Sequence, residues 1–228
     1  MHSPMKLPGL LLLMLTLSQV GCAPNHPSGT ISILAQSAEP VMLETSFGYG
    51  CYSVEEADTE LILSTVPLKD LQSGNFKQAQ IIHAQLLWVP RAGYTPVNNA
   101  ATNLVIRHVV LVDDEVGIYG GGGFAWPKGS PGKTGLGLDI TGSNLSLLES
   151  TEGFRDLLSP AVLKGWIAGP LDSETFIRYR NTVSQIVTDR VGRTLWVDAR
   201  DQLPDTSESA RDEIVTAASL TGSGHSPG

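Results

Sequence analysis

Between residues 41 and 168 the apolar residues come in short runs of period two, each cut by glycine or proline. That pattern points to antiparallel sheet and argues against alternating βαβ units. The predicted strands cover residues 41–47, 60–66, 79–89, 103–112, 116–119, 135–148 and 163–168. The 103–112 run is the richest in β-branched residues. Asp113-Asp114 or Asp114-Glu115 is expected to turn it back into Val116-Gly117-Ile118-Tyr119. In 79–89, Ile82, Ala84, Leu86 and Trp88 share one face, and Ile81, His83, Gln85 and Leu87 the other. In 135–148, Leu136, Leu138 and Ile140 share a face, and Gly142-Ser143-Asn144 reads as a turn. The run Gly120-Gly121-Gly122-Gly123 makes a poor strand interior and reads as a bulge, bend or loop.

One later segment has helical period. Phe176, Tyr179, Val183, Ile186, Val187 and Val191 recur at three- and four-residue spacing. Asp172 or Ser173 suits the N-cap, Glu174 the first turn, and Gly192 a left-handed stop. A short helix is expected at 153–158. The fold class is therefore mainly β (α+β): an antiparallel β-sandwich or partly closed barrel with one amphipathic C-terminal helix at about 172–191.

The chain begins differently. Lys6 precedes an apolar run, residues 7–17, centred on Leu10-Leu11-Leu12-Leu13-Met14-Leu15. That run is shorter than the roughly 20 residues a bilayer span needs, but it suits the apolar core of a signal peptide. Ser18-Gln19-Val20-Gly21-Cys22 follows. This stretch resembles the lipobox of bacterial lipoproteins, with a small residue at −1 and a cysteine at +1. Gln19 stands at −3, where the family prefers leucine. The resemblance covers residues 1–22 and implies cleavage between Gly21 and Cys22, with acyl chains on the Cys22 thiol and then on its freed amine. Two or three chains hold a protein firmly to a bilayer, at about 0.8 kcal/mol per buried CH₂. Ala23, which is not aspartate, implies sorting to an outer membrane where the source has two membranes.

The expected organisation is a signal peptide at 1–21, a lipidated N-terminus and flexible tether at 22–40, one β-rich domain at 41–200 and a disordered polar tail at 201–228. Removing the first 21 residues leaves 207 and takes the formal charge from −8 to −9, because Lys6 is the only charged side chain removed. So acidic a chain is repelled by phosphate backbones and anionic headgroups. Nucleic acid and nucleotide are excluded as expected partners. The expected partners are the membrane, through the lipid on Cys22, and an envelope protein. The second cysteine, Cys51, reads as a buried small apolar residue.

No cofactor is expected. Gly129-Ser130-Pro131-Gly132-Lys133-Thr134 contains the Gly-Lys-Thr of a phosphate loop, but Pro127 stands where its first glycine belongs, and a strand pattern follows. No Gly-x-Ser-x-Gly elbow occurs. The acidic runs at 55–60 and 113–115 lack the alternating ligands of a calcium loop. His83 and His108 lie in predicted strands and are the candidate ligand or metal residues; neighbouring strands would bring the rings together. With a turn at Asp113-Asp114, His108 falls opposite Tyr119. Phe124, Trp126 and Pro127 are expected to cover bare glycine backbone.

Three functions compete: a lipid-anchored, non-enzymatic binding or structural module; an envelope hydrolase or metal-dependent enzyme around His83 and His108; and a carrier of an apolar ligand, which needs a cavity of about 300 Å³ or more.

Overall fold

The computed structural model describes residues 26–55, 58–91 and 101–193. Among these, the chain order is β1 (Ser28–Ala35), β2 (Met42–Phe47), β3 (Tyr49–Glu55), β4 (Asp58–Ser64), α1 (Leu68–Ser73), β5 (Gln78–Leu86), β6 (Leu104–Val112), β7 (Glu115–Lys128), β8 (Gly135–Ser150), β9 (Ala161–Pro170) and α2 (Ser173–Val191). The strands make a single sheet in the order β2-β1-β9-β8-β7-β6-β5-β4-β3, with every neighbouring pair antiparallel.

The two edge strands, β2 and β3, are consecutive in the chain, with Gly48 alone between them. Laid flat, nine strands about 4.8 Å apart would hold those edges roughly 38 Å from each other. Phe47 and Tyr49 are two Cα steps apart, at most about 7 Å. The sheet therefore curls into a half-barrel until its edges meet. Past the start of β1, the end of β9 reaches β3 directly. Tyr52 makes a parallel bridge to Leu171, and the Asp172 amide donates to the Tyr52 carbonyl at 3.0 Å.

Curling needs places where strands approach closely. Gly121 is one, since a Cβ there would overlap the Asn144 carbonyl oxygen of the next strand. Gly165 is another. Its φ is +147°, and a Cβ would overlap the Thr30 carbonyl oxygen. The glycine run expected to interrupt the sheet thus lies inside β7, because only glycine tolerates that proximity. The irregularities are register shifts in the β7–β8 ladder at Ile118/Tyr119 and Phe124/Ala125.

All nine strands contribute to the cluster on the concave face, among them Ile31, Phe47, Tyr52, Leu63, Ile82 and Leu138. The convex face of β3 to β7 carries a second cluster, including Cys51, Ile62, Ile81, Val109 and Ile118. Helix α2 covers it with Phe176, Tyr179, Val183 and Val187, the stripe legible in the sequence. Burying an aliphatic or aromatic side chain of this size stabilises by roughly 1.5–3 kcal/mol. The Asp172 carboxylate accepts from the Thr175 amide at 2.9 Å, and Gly192 ends the helix with φ +77°.

Several expectations need correction. The tether to residue 40 is too long: Ser28–Ala35 is β1, between β2 and β9, with Ile31, Ile33 and Ala35 buried. Its own alternation, Ile31-Ser32-Ile33, carries the reason. Residues 153–158 form no helix, because Asp156 binds the amides of Leu158 and Ser159 instead. Residues 142–144 do not turn the chain; they continue β8 through a register shift against β9. The Asp113-Asp114 hairpin forms as expected, with φ +49° at Asp113. The expected tail at 201–228 lies outside the described residues.

The close approach at Gly165 sets a stability prediction. Gly165→Ala is expected to lower folding stability by about 3 kcal/mol, read from urea unfolding midpoints. Gly142→Ala, where an added Cβ meets nothing within 4 Å, is expected to stay within about 0.5 kcal/mol of wild type. Equal midpoints for the two variants would contradict the packing at the β1–β9 seam.

Candidate functional site

Strand parity decides where the candidate histidines go. Across β5 and β6, His83 pairs with Arg107 and Ile82 with His108. The two histidines are therefore one residue out of step, and their side chains leave opposite faces of the sheet. They do not meet. Among the described residues, no group of three or more His, Cys, Asp or Glu side chains is placed to hold a metal ion.

His83 lies on the convex face. Its Nε2 is 2.8 Å from Glu60 Oε2 on β4, and both side chains are largely buried. The ring of Phe176 from α2 is 6.0 Å from that of His83. Burial pushes the Glu60 carboxyl up, but the hydrogen bond from His83 and the charges of His83 and Arg180 outweigh it and hold the carboxyl below its ordinary value. Beside the pair a shallow cleft runs between α2 and the β3–β4 hairpin, lined by Ser53, Glu55, Asp58, Glu60, Phe176 and Arg180. Its chemistry is that of a carboxylate-rich rim with one arginine. Glu60 borders this cleft, and His83 lies behind it under Phe176 of the helix.

His108 lies on the concave face and is fully buried. Gln80 Oε1 accepts from Thr45 Oγ1 at 2.8 Å and from His108 Nε2 at 3.0 Å. Thr45 is on β2 and Gln80 on β5, strands far apart in the ladder, so this bond crosses the hollow of the curl. Donation from Nε2 leaves Nδ1 as a bare lone pair, and it has no hydrogen-bond partner among the described residues. Burial pushes the imidazole pKa down to about 4. Tyr119 stacks on it at 6.1 Å, in the opposite register position expected from the hairpin. The Tyr119 hydroxyl donates to Asp156 Oδ1 at 2.9 Å. Burial and the adjacent Asp156 raise the phenol above its ordinary range. Asp156 and Phe154 belong to the β8–β9 connection, which closes this end of the hollow over Tyr119.

Gln80, Thr45, Asp156 and Arg180 were not singled out by sequence reasoning, and Glu60 entered it only as part of an acidic run. One signal existed. Gln80 is a polar residue on the same face as Ile82, Ala84 and Leu86, where the pattern calls for an apolar side chain. Asp156 had no such signal, because a loop carboxylate is ordinary. Cys51 is buried as expected; burial, with Asp172 nearby, pushes its thiol up to about 12. The Gly129–Thr134 segment connects β7 to β8, and a strand follows it rather than a helix. Cys22 and Gly21 lie outside the described residues. Among the described residues, no helix is long and apolar enough to cross a membrane. No protein-family model, curated protein or solved structure matches the chain.

The buried histidine makes stability depend on pH. In the unfolded chain His108 takes up a proton near 6.5, whereas in the folded chain it refuses one until about 4. Stability is then complete above pH 6.5 and lost as pH falls from 6.5 toward 4, by about 3 kcal/mol in all. Glu60 works in the same direction, but only below its unfolded value of 4.5. Urea midpoints measured between pH 8 and 5 are expected to decline below 6.5 in wild type and to lose that slope in His108→Gln. An unchanged slope in the variant would contradict the assignment.

Proposed function

We propose that the chain is a lipoprotein of the bacterial cell envelope, anchored by acyl chains on Cys22, whose curled β domain is a non-enzymatic binding or structural module. The observation that carries this reading is the sequence 7–22: an apolar run too short to span a bilayer, ending in Gly21-Cys22. The position of β1 supports it. Five residues separate Cys22 from Ser28, so an anchor at Cys22 holds the first strand within about 20 Å of its own attachment point. Ala23 favours an outer membrane, with the domain facing the periplasm.

The domain's interior favours a binding or structural role over the competing ones. The concave face carries side chains from all nine strands, with the Thr45-Gln80-His108 line crossing it, which gives an apolar-ligand carrier no support. An enzyme built around His83 and His108 together has none either, since the two rings lie on opposite faces.

Labelling with a radioactive or alkyne-tagged palmitate tests the anchor in a bacterial host with two membranes. Wild type is expected to incorporate label and to fractionate with membranes. Cys22→Ala is expected to lose the label and to leave the membrane fraction. Label retained in Cys22→Ala, or none in wild type, would overturn the reading.

A further inference from the structure

Helix α2 shields only part of the convex face, and the uncovered part is not uniformly polar. Phe124 and Trp126 of β7 stand edge to face with centroids 5.1 Å apart, and Phe124 meets Trp88, just beyond β5, at 6.0 Å. Trp126 is 43% exposed, and Leu87 and Val89 are 45% and 43% exposed. Isolated exposed apolar residues are ordinary; one exposed and two half-buried aromatic rings in contact, with exposed Leu87 and Val89 on either side of Trp88 in the chain, are not. Exposed Lys128 continues the strip along β7, and exposed Lys133 lies in the loop that follows. Asp139 pairs with Trp126 across β7 and β8.

The position of this strip is what gives it meaning. Strands β5 and β7 both run toward the end of the half-barrel at which β1 begins. Lys128 pairs with Gly137, Gly137 with Ala168, and Ala168 with Ser28, so a single transverse row joins the strip to the first residue of β1. Three strand spacings of about 4.8 Å separate them, roughly 14 Å. The five residues between Ser28 and Cys22 then reach no more than about 20 Å. Tryptophan and its neighbours partition to the headgroup level of a bilayer, where the indole has both an apolar and a wet side.

We propose that this aromatic end, Trp88, Phe124 and Trp126 with Leu87 and Val89, docks onto the bilayer that carries the Cys22 anchor. The inference rests on the anchored reading above. Lys128 stands two residues along β7 from Trp126, and the carboxylates at this end are Asp139, opposite Trp126, and Asp58, next in register to Leu87. The lipid supplies the affinity, and the strip sets the orientation, holding the β8–β9 closure away from the membrane.

The test separates docking from natural acylation. The chain beginning at Cys22 is coupled through that thiol to a maleimide phospholipid in phosphatidylcholine vesicles; Cys51 is buried and does not compete. Vesicles with bromine on the acyl chains quench any tryptophan at the interface. Brominated lipid is expected to quench wild-type emission, and Trp126→Phe, coupled to the same extent and with the same circular dichroism, is expected to lose about half of that quenching. Absent quenching in wild type, or equal quenching in both, would overturn the docking surface while leaving the labelling result untouched. Concentration-dependent self-association of the uncoupled chain, abolished by Trp126→Asp, would instead assign the strip to a second copy and likewise overturn it.

Discussion

The rest of the structure depends on the single residue between β2 and β3. A nine-stranded ladder whose edge strands are joined by Gly48 cannot stay flat, because the chain is too short to cross an open sheet. Curling follows from covalent length before any side chain is considered. It produces a concave face that apolar side chains must fill and a convex face with room for one long helix. Leu171 and Asp172, which continue the chain from β9 into α2, bind Tyr52 of β3, so the same seam that closes the sheet also starts the helix.

Parity then distributes the polar groups. Along β5, Gln80 and His83 are three residues apart and so take opposite faces. Gln80 is tied across the hollow to Thr45 and His108, and His83 is tied under α2 to Glu60. Each set acts as a buried polar tie rather than an open reaction centre. The Gln80 line links β2, β5 and β6, and Tyr119 and Asp156 extend it to the connection that closes one end. Buried polar networks of this kind specify one packing among many, at the cost of sensitivity to protonation.

Much of this was legible in the sequence. The β6–β7 hairpin and the pairing of His108 with Tyr119 follow from the Asp113-Asp114 turn. The bounds of α2 follow from Asp172, the aromatic and valine stripe, and Gly192. Less legible was anything that depends on distant strands. Residues 28–35 sit beside a proline-rich segment, and beyond the short Ile31-Ser32-Ile33 alternation their place as a strand comes from pairing with β9, 126 to 140 positions away. The glycine run at 120–123 looked like an interruption, because a sequence does not show that a neighbouring strand presses against it. His83 and His108 seemed able to meet until the register made them one residue out of step. The Thr45–Gln80 bond joins strands that no local pattern relates.

The curl is the central structural claim, and one contact reports it directly. Gly169 near the end of β9 lies against the Cys51 backbone of β3, where a Cβ on the glycine would be 3.0 Å from the Cys51 Cα. An open ladder would separate the two by most of its width. In the nuclear Overhauser spectrum of the folded protein, a cross-peak between a Gly169 Hα and the Cys51 Hα is predicted, together with one linking Leu171 to Tyr52. Assigned resonances at all four residues with neither cross-peak would mean that the edges do not meet, and the account of both faces would fail with them.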